Sequence, residues 1–240
     1  MSRRTIVVID DFYRDPDAVR RYALEQDYYT PYEDTADVLS GKVRPSWWAT
    51  KFRPASECPF KSSGRLLAAL EAAVGETIRR VHWRATFPVD AESKPIKDAD
   101  RTQACLWNCC FHVKPDNGQQ VGEGVHNHVT DRWNAVGVRG WAGIIYLNPD
   151  APSEGGLHLW QNVDPQHKFQ WMTSPPEWRL MDSFANQYNR LTLVRGDLPH
   201  SGAGGWGDSL ESGRLYQTFF FRTRSPEGPW PDASVAGVDR

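Results

Sequence analysis

From residue 81 onward the sequence is a succession of short apolar or aromatic runs, and this pattern restricts the fold more than any other feature. The runs 81–89, 103–113, 141–147, 156–161, 191–195 and 215–223 are each of strand length. Between them stand Pro-Asp, Asn-Gly, Gly-Gly and Gly-Ala-Gly-Gly steps. Such steps favour tight turns, because glycine and proline adopt backbone angles that other residues avoid or vary. Short strands joined by turns pair antiparallel, and their apolar faces need a second layer to cover them. The expectation is an α+β chain, mainly β, whose core is a jelly roll of two packed sheets with N-terminal helices against one of them.

The first third reads differently. Residues 5–9 are β-branched and apolar, a short strand. Asp15-Pro16-Asp17 then opens a helix, with Asp15 as N-cap, Pro16 at the first helical position and Asp17 complementing the dipole. Val19, Tyr22 and Ala23 mark its inner face, and its end is expected near Asp27. Residues 28–60 have no clear period and read as a long ordered connection, which in a compact domain usually forms a functional surface. A second helix is expected over 63–80, with Leu66, Leu67, Leu70, Val74 and Ile78 on one face and Gly75 weakening its C-terminal half. The organisation expected is one domain: residues 1–80 as helical support and lid, 81–224 as the jelly-roll core, and 225–240, with three prolines, as a loosely attached tail.

Charge narrows the partners. Twenty-eight basic against thirty acidic residues leave a net charge of -2 in 240 residues, with no footprint for a nucleic-acid backbone. A small molecule, amino acid or peptide is the more natural substrate. The opening MSRRTIVVIDDF has too short an apolar run for a signal peptide, and no stretch approaches the roughly 18 apolar residues of a membrane span. Cys58, Cys105, Cys109 and Cys110 lack CxxC spacing and read as reduced, buried thiols of a cytoplasmic protein.

The chemistry-bearing segment is HNHVTD, His126 to Asp131. On a strand, residues i and i+2 share a face, so His126 and His128 can aim at one point, and Asp131 on the following turn can swing toward it. His200, in LPHSGAGG, offers a further imidazole from a distant strand end. Two imidazoles and a carboxylate on one face of a metal leave positions open, the arrangement of non-haem Fe(II) oxygen chemistry. His82, His112, His158 and His167 have no such company and are assigned packing or hydrogen-bonding roles.

The segment VHNHVTDRWNAVGVRGWAGIIYLNPDAPSEGGLHLW resembles the first half of a double-stranded β-helix 2-oxoglutarate-dependent oxygenase. NRLTLVRGDLPHSGAGGWGDSLESGRLYQTFFF resembles its closing half, and the N-terminal IVVIDDFYRDPDAVRRYALEQDYY is similar to a small bacterial group with a helical cap. The resemblance implies Fe(II), 2-oxoglutarate and dioxygen as cofactors and co-substrates. It further implies hydroxylation of an unactivated C–H bond, with release of succinate and CO2. His200 becomes the distal iron ligand, and Arg214, fourteen residues on, holds the far carboxylate of 2-oxoglutarate through its planar fork. Tyr146, Gln217 or Thr218 would add a hydrogen bond to that carboxylate, and Asn108 or Asn148 would orient groups near the metal.

A plain His-x-Asp is absent, so three ligand sets stand open. His126 or His128 can join Asp131 and His200. His126, His128 and His200 can form a three-histidine face. Or His128 and His200 can bind alone, leaving a vacancy for halide as in a halogenase. The same cofactors also serve desaturases, and a cupin-like module could hold a metal without redox chemistry. Among eleven tryptophans, Trp107, Trp133, Trp141, Trp160, Trp171 and Trp206 bracket the expected site, with Trp141 and Trp160 read as core. Trp47 and Trp48 are the candidates for a lid.

Overall fold

The strand-length runs of the second half do pair antiparallel, and their alternation builds two layers. The computed structural model describes residues 4–85, 87, 89, 104–129, 131, 133–163 and 178–224. In chain order the elements are β1 (Ile6–Ile9), α1 (Pro16–Leu24), β2 (Tyr28–Tyr29), α2 (Thr35–Leu39), β3 (Trp48–Thr50), α3 (Pro59–Ser62), α4 (Gly64–Val74) and α5 (Arg80–Arg84). Then follow β4 (Phe111–Lys114), β5 (Trp141–Tyr146), β6 (Leu157–Asn162), β7 (Trp178–Phe184), β8 (Leu191–Arg195), β9 (His200–Gly202) and β10 (Arg214–Phe221). A large sheet runs β1-β8-β5-β10-β4-β3-β2, and a small one runs β7-β6-β9. An antiparallel bridge between His126 and His200 adds the segment around His126 beside β9.

Alternation along β10 shows how the layers separate. Arg214, Tyr216, Thr218 and Phe220 face the space between the sheets and line its cavity. Leu215, Gln217, Phe219 and Phe221 face the other way and are fully buried. Between the sheets, Ala142, Ile144 and Val194 meet Leu157 and Leu159 of the small sheet. Outside, Trp141, Ile145, Leu191, Leu193, Phe219 and Phe221 pack against Leu66, Leu67, Leu70, Ala73 and Val74 of α4. Burying each of those leucines contributes about 1.5–3 kcal/mol, which holds the helix on the sheet. The architecture is thus the mainly β, two-sheet jelly roll with N-terminal helices on one sheet.

The helix signals act locally as expected, with shorter results. Asp15 accepts from the Ala18 amide at 2.8 Å, and Ser63 accepts from that of Leu66 at 3.1 Å. α1 ends at Leu24 rather than near Asp27. α4 stops at Val74 because Gly75 takes a left-handed φ of +72° as the C-cap, so the helix expected to reach residue 80 is cut short. The described residues 81–85 do not form the strand expected over 81–89. Their first part forms α5, a single helical turn that lets His82 and Trp83 bury while Val81 stays exposed. Of the run 103–113 only Phe111 onward is strand; a turn precedes it, with Cys109 at φ +65°. Residues 28–60 contain two short strands and two short helices instead of one irregular connection. The four cysteines are free and buried. No helix among the described residues is long and apolar enough to cross a membrane. The tail 225–240, His167 and Trp171 lie outside the described residues.

Candidate metal centre

Three histidines meet where the small sheet ends. The backbone bridge between His126 and His200, with N–O distances of 2.9 Å in both directions, sets these two residues opposite each other. The His128 amide donates to the Gly196 carbonyl at 2.7 Å, which returns the chain to the same place. The ring centroids of His126, His128 and His200 are 4.9, 4.6 and 5.1 Å apart pairwise. One ligand atom from each lies within 4.8 Å of the others, and these three form the one such group among the described residues.

Their tautomers follow from their partners. His126 Nδ1 lies 2.7 Å from the Gly124 carbonyl and His200 Nδ1 lies 2.8 Å from that of Leu198. A carbonyl only accepts, so Nδ1 carries the hydrogen and Nε2 keeps its lone pair. His128 Nδ1 donates to Asp131 Oδ2 at 2.7 Å with the same consequence. Burial, with the neighbouring imidazoles, pushes His126 down to about 4 and His200 well below its ordinary value. Both are therefore neutral, the state a metal requires.

Asp131 stands behind this triangle. Its Oδ2 accepts from His128, and its Oδ1 accepts from the Trp133 amide at 2.8 Å. Burial would raise its carboxyl, but the hydrogen bond and charge of His128 outweigh it and hold the group below the usual carboxylate value. A carboxylate that orients a histidine from behind is the usual outer support of a metal ligand. Phe220 packs edge-on against His128 at 4.9 Å and fixes the ring from a further side.

The imidazoles open into a cavity of about 520 Å³, predominantly walled by apolar side chains. Its wall also includes Arg214, which is 1 % exposed. The guanidinium is held by three backbone carbonyls: Gly155 at 2.8 Å, Gly156 at 3.1 Å and Ala203 at 3.5 Å. Two glycines make room for this cradle. A Cβ on Gly156 would lie 1.6 Å from the Phe184 oxygen, and one on Gly202 would lie 3.3 Å from Arg214 Nη1. Tyr216 and Tyr146 flank the guanidinium at 4.9 and 5.7 Å. Among the described residues no carboxylate forms an ion pair with it.

The other residues expected at the site divide. Thr218 lines the cavity, donates to the Trp107 carbonyl at 2.7 Å and contacts His112 Nε2 at 2.9 Å. Tyr146 lies beneath Arg214, and burial pushes its phenol up to about 12 against the pull of that guanidinium. Gln217 is on the opposite face of β10, where Tyr13 donates to it at 2.6 Å and it donates to the Cys109 carbonyl. The period of two carries it away from Arg214. Asn108 and Asn148 bind backbone groups of Phe220 and Leu215, away from the imidazoles. Trp47, Trp107 and Trp133 line the cavity, whereas Trp48 packs with Ala23, Phe111 and Val113.

Among the cavity residues, His112 has the packing and hydrogen-bonding role expected of it, and Lys114 was not singled out in the sequence. His112 stacks on Tyr216 at 5.2 Å, and burial lowers it to about 3. Lys114, the last residue of β4, donates to Gln119 and, at 3.3 Å, to the Ala203 carbonyl. Burial first, and then the Arg214 charge, push it down to about 7, with Glu123 acting the other way. Their signal was the alternation of FHVK, readable only once β4 is known to border β10.

No family model matches the sequence, and no curated protein does. Solved structures do match. HygX from Streptomyces hygroscopicus with nickel and 2-oxoglutarate bound is 13% identical with a TM-score of 0.51, over 95% of this chain and 85% of that one. HygX with nickel, 2-oxoglutarate and hygromycin B bound is 12% identical with a TM-score of 0.50, over 95% of this chain and 86% of that one. SnoN from nogalamycin biosynthesis, a non-haem α-ketoglutarate-dependent epimerase, is 12% identical with a TM-score of 0.50, over 95% of each chain. At these identities the likeness is one of backbone. The chain has the fold of the Fe(II)/2-oxoglutarate-dependent oxygenases, the double-stranded β-helix.

Proposed function

We propose that this protein is an Fe(II)- and 2-oxoglutarate-dependent dioxygenase that hydroxylates an unactivated C–H bond of a small-molecule or amino-acid or peptide substrate. One observation carries the reading: a single cavity is lined both by three histidines whose Nε2 lone pairs are set for a metal and by a buried arginine that has no anionic partner among the described residues. The donor set fits the metal, because each imidazole is held at Nδ1 by a fixed acceptor and keeps Nε2 for a metal. Arg214 fits the co-substrate, because its fork retains N–H donors after its carbonyl contacts and its charge calls for a carboxylate.

In this reading His126, His128 and His200 hold iron and Asp131 acts through His128. Three neutral imidazoles leave the metal more positive than two imidazoles and a carboxylate would, and the hydrogen bond from Asp131 returns part of that charge. When bound, iron and 2-oxoglutarate supply the activation of dioxygen, with succinate and CO2 as co-products. The protein's own residues do the positioning. Arg214 fixes one end of the co-substrate, and Phe220 and the apolar wall limit water near the metal. Tyr32, Ser46 and Trp47 bring residues 1–80 to the cavity as its support and lid. Three converging histidines support hydroxylation over a halogenase reading, which needs a ligand vacancy.

Anaerobic addition of Fe(II) and then 2-oxoglutarate is expected to produce a visible charge-transfer band. Oxygen should bleach it with formation of succinate. No band, together with no succinate, overturns the reading in favour of a non-redox metal module.

A further inference from the structure

Lys114 and Arg214 are directly opposite each other on adjacent antiparallel strands. Like charges in that register repel, and here Arg214 is buried and Lys114 partly buried beside it. Their side chains converge as well: Lys114 Nζ and Arg214 Nη1 donate to one oxygen, the Ala203 carbonyl, at 3.3 and 3.5 Å. Lys114's other hydrogen-bond partner is the neutral Gln119, and among the described residues neither cation forms an ion pair. An ammonium has three N–H donors and a guanidinium five, so both groups keep donors beyond those contacts. A local conflict of this kind is expected where a ligand resolves it.

We propose that Lys114 is a second co-substrate-positioning residue, and that it and Arg214 together clamp the far carboxylate of 2-oxoglutarate. This rests on the oxygenase reading above. The fork of Arg214 sets the plane of the carboxylate, and Lys114, a point charge on a flexible stem, neutralises it from the β4 side. A dicarboxylate with a short spacer is thereby selected over a 2-oxo acid that ends in a methyl group, since only the former relieves both cations.

The test uses the nickel-loaded full chain, with calorimetry of 2-oxoglutarate and of pyruvate, which shares the keto acid and lacks the far carboxylate. Lys114→Gln keeps a group able to donate to Ala203 and removes the charge; Lys114→Met removes both. Each is expected to weaken 2-oxoglutarate binding about tenfold or more, the ordinary worth of a charge-assisted hydrogen bond, and to leave pyruvate binding unchanged. Lys114→Arg should restore most of the lost affinity. Unchanged 2-oxoglutarate affinity in Lys114→Gln, or equal weakening of both acids, overturns the assignment and leaves the oxygenase reading standing. A nickel-loaded wild type that binds neither acid overturns both.

Discussion

At one end of the cavity three imidazoles stand close together, with each Nδ1 tied to a carbonyl or to Asp131. At the other, among the described residues, Arg214 and Lys114 donate to carbonyls and a glutamine amide, and no carboxylate is paired to either. The first end presents lone pairs and the second presents N–H donors. The difference shows why one cavity suits two ligands of opposite charge. Rings held at Nδ1 keep Nε2 for a metal, while buried Arg214 and partly buried Lys114, with no ion pair among the described residues, attract a carboxylate.

The comparison breaks most completely if the imidazole end loses a ring. His200→Ala keeps the backbone bridge to His126 but removes one imidazole of the triangle, and under the proposed function it should abolish iron retention and succinate formation. Metal content after gel filtration checks this, and full iron occupancy would show that His200 is not a ligand. Next in size is the cation end. Arg214→Met should weaken 2-oxoglutarate binding to the nickel-loaded protein by about 2–5 kcal/mol while metal affinity stays near wild type. A loss of metal binding in the same variant would mean that the two ends are not separable.

Asp131→Asn sharpens the account of the imidazole end. If the carboxylate acts through His128, the variant should still bind metal, with affinity lowered roughly 10–100-fold. Total loss of metal would instead make Asp131 a direct ligand, as one of the ligand sets open in the sequence allows. Competition with a chelator of known affinity separates the outcomes.

A last effect concerns the buried histidines His82 and His112. His82 and His112 are lowered to about 3 by burial, so they stay neutral in the fold while their unfolded forms protonate near 6.5. A depressed histidine contributes stability that is present above 6.5 and lost as pH falls below it. The metal-free protein should therefore lose about 1.4 kcal/mol per pH unit for each such histidine between about pH 6 and 4. Urea unfolding at pH 7, 6 and 5 measures this. A flat profile would show these rings charged within the fold.

Legibility differed between elements for physical reasons. β5, β8 and β10 were plain because burial on both faces demands continuous apolar runs. β7, WRLMDSF, was missed because five of its seven residues are exposed, so burial left no apolar pattern in it. Residues 81–84 are β-like in composition yet form a helical turn, since packing Trp83 against Phe219 and Phe221 outweighs propensity. At the site, His126, His128 and Asp131 stand out in the chain because three metal-competent residue types fall within six positions, whereas the role of Arg214 follows from the family resemblance. Gln217 was proposed beside Arg214 from proximity in sequence, although three positions along a strand reverse the face.

By itself, then, the sequence determined the fully buried strands β5, β8 and β10, the capped starts of α1 and α4, and the group of metal-competent residues in HNHVTD with His200. Those depend on side-chain type and short-range periodicity, which a linear string carries. Only the tertiary structure decided that His126 lies against His200, that Asp131 binds His128 from behind, and that Lys114 faces Arg214. Each of these depends on which strands become neighbours and in what register, a choice made by packing two sheets and a helix against one another, and no local stretch of sequence encodes it.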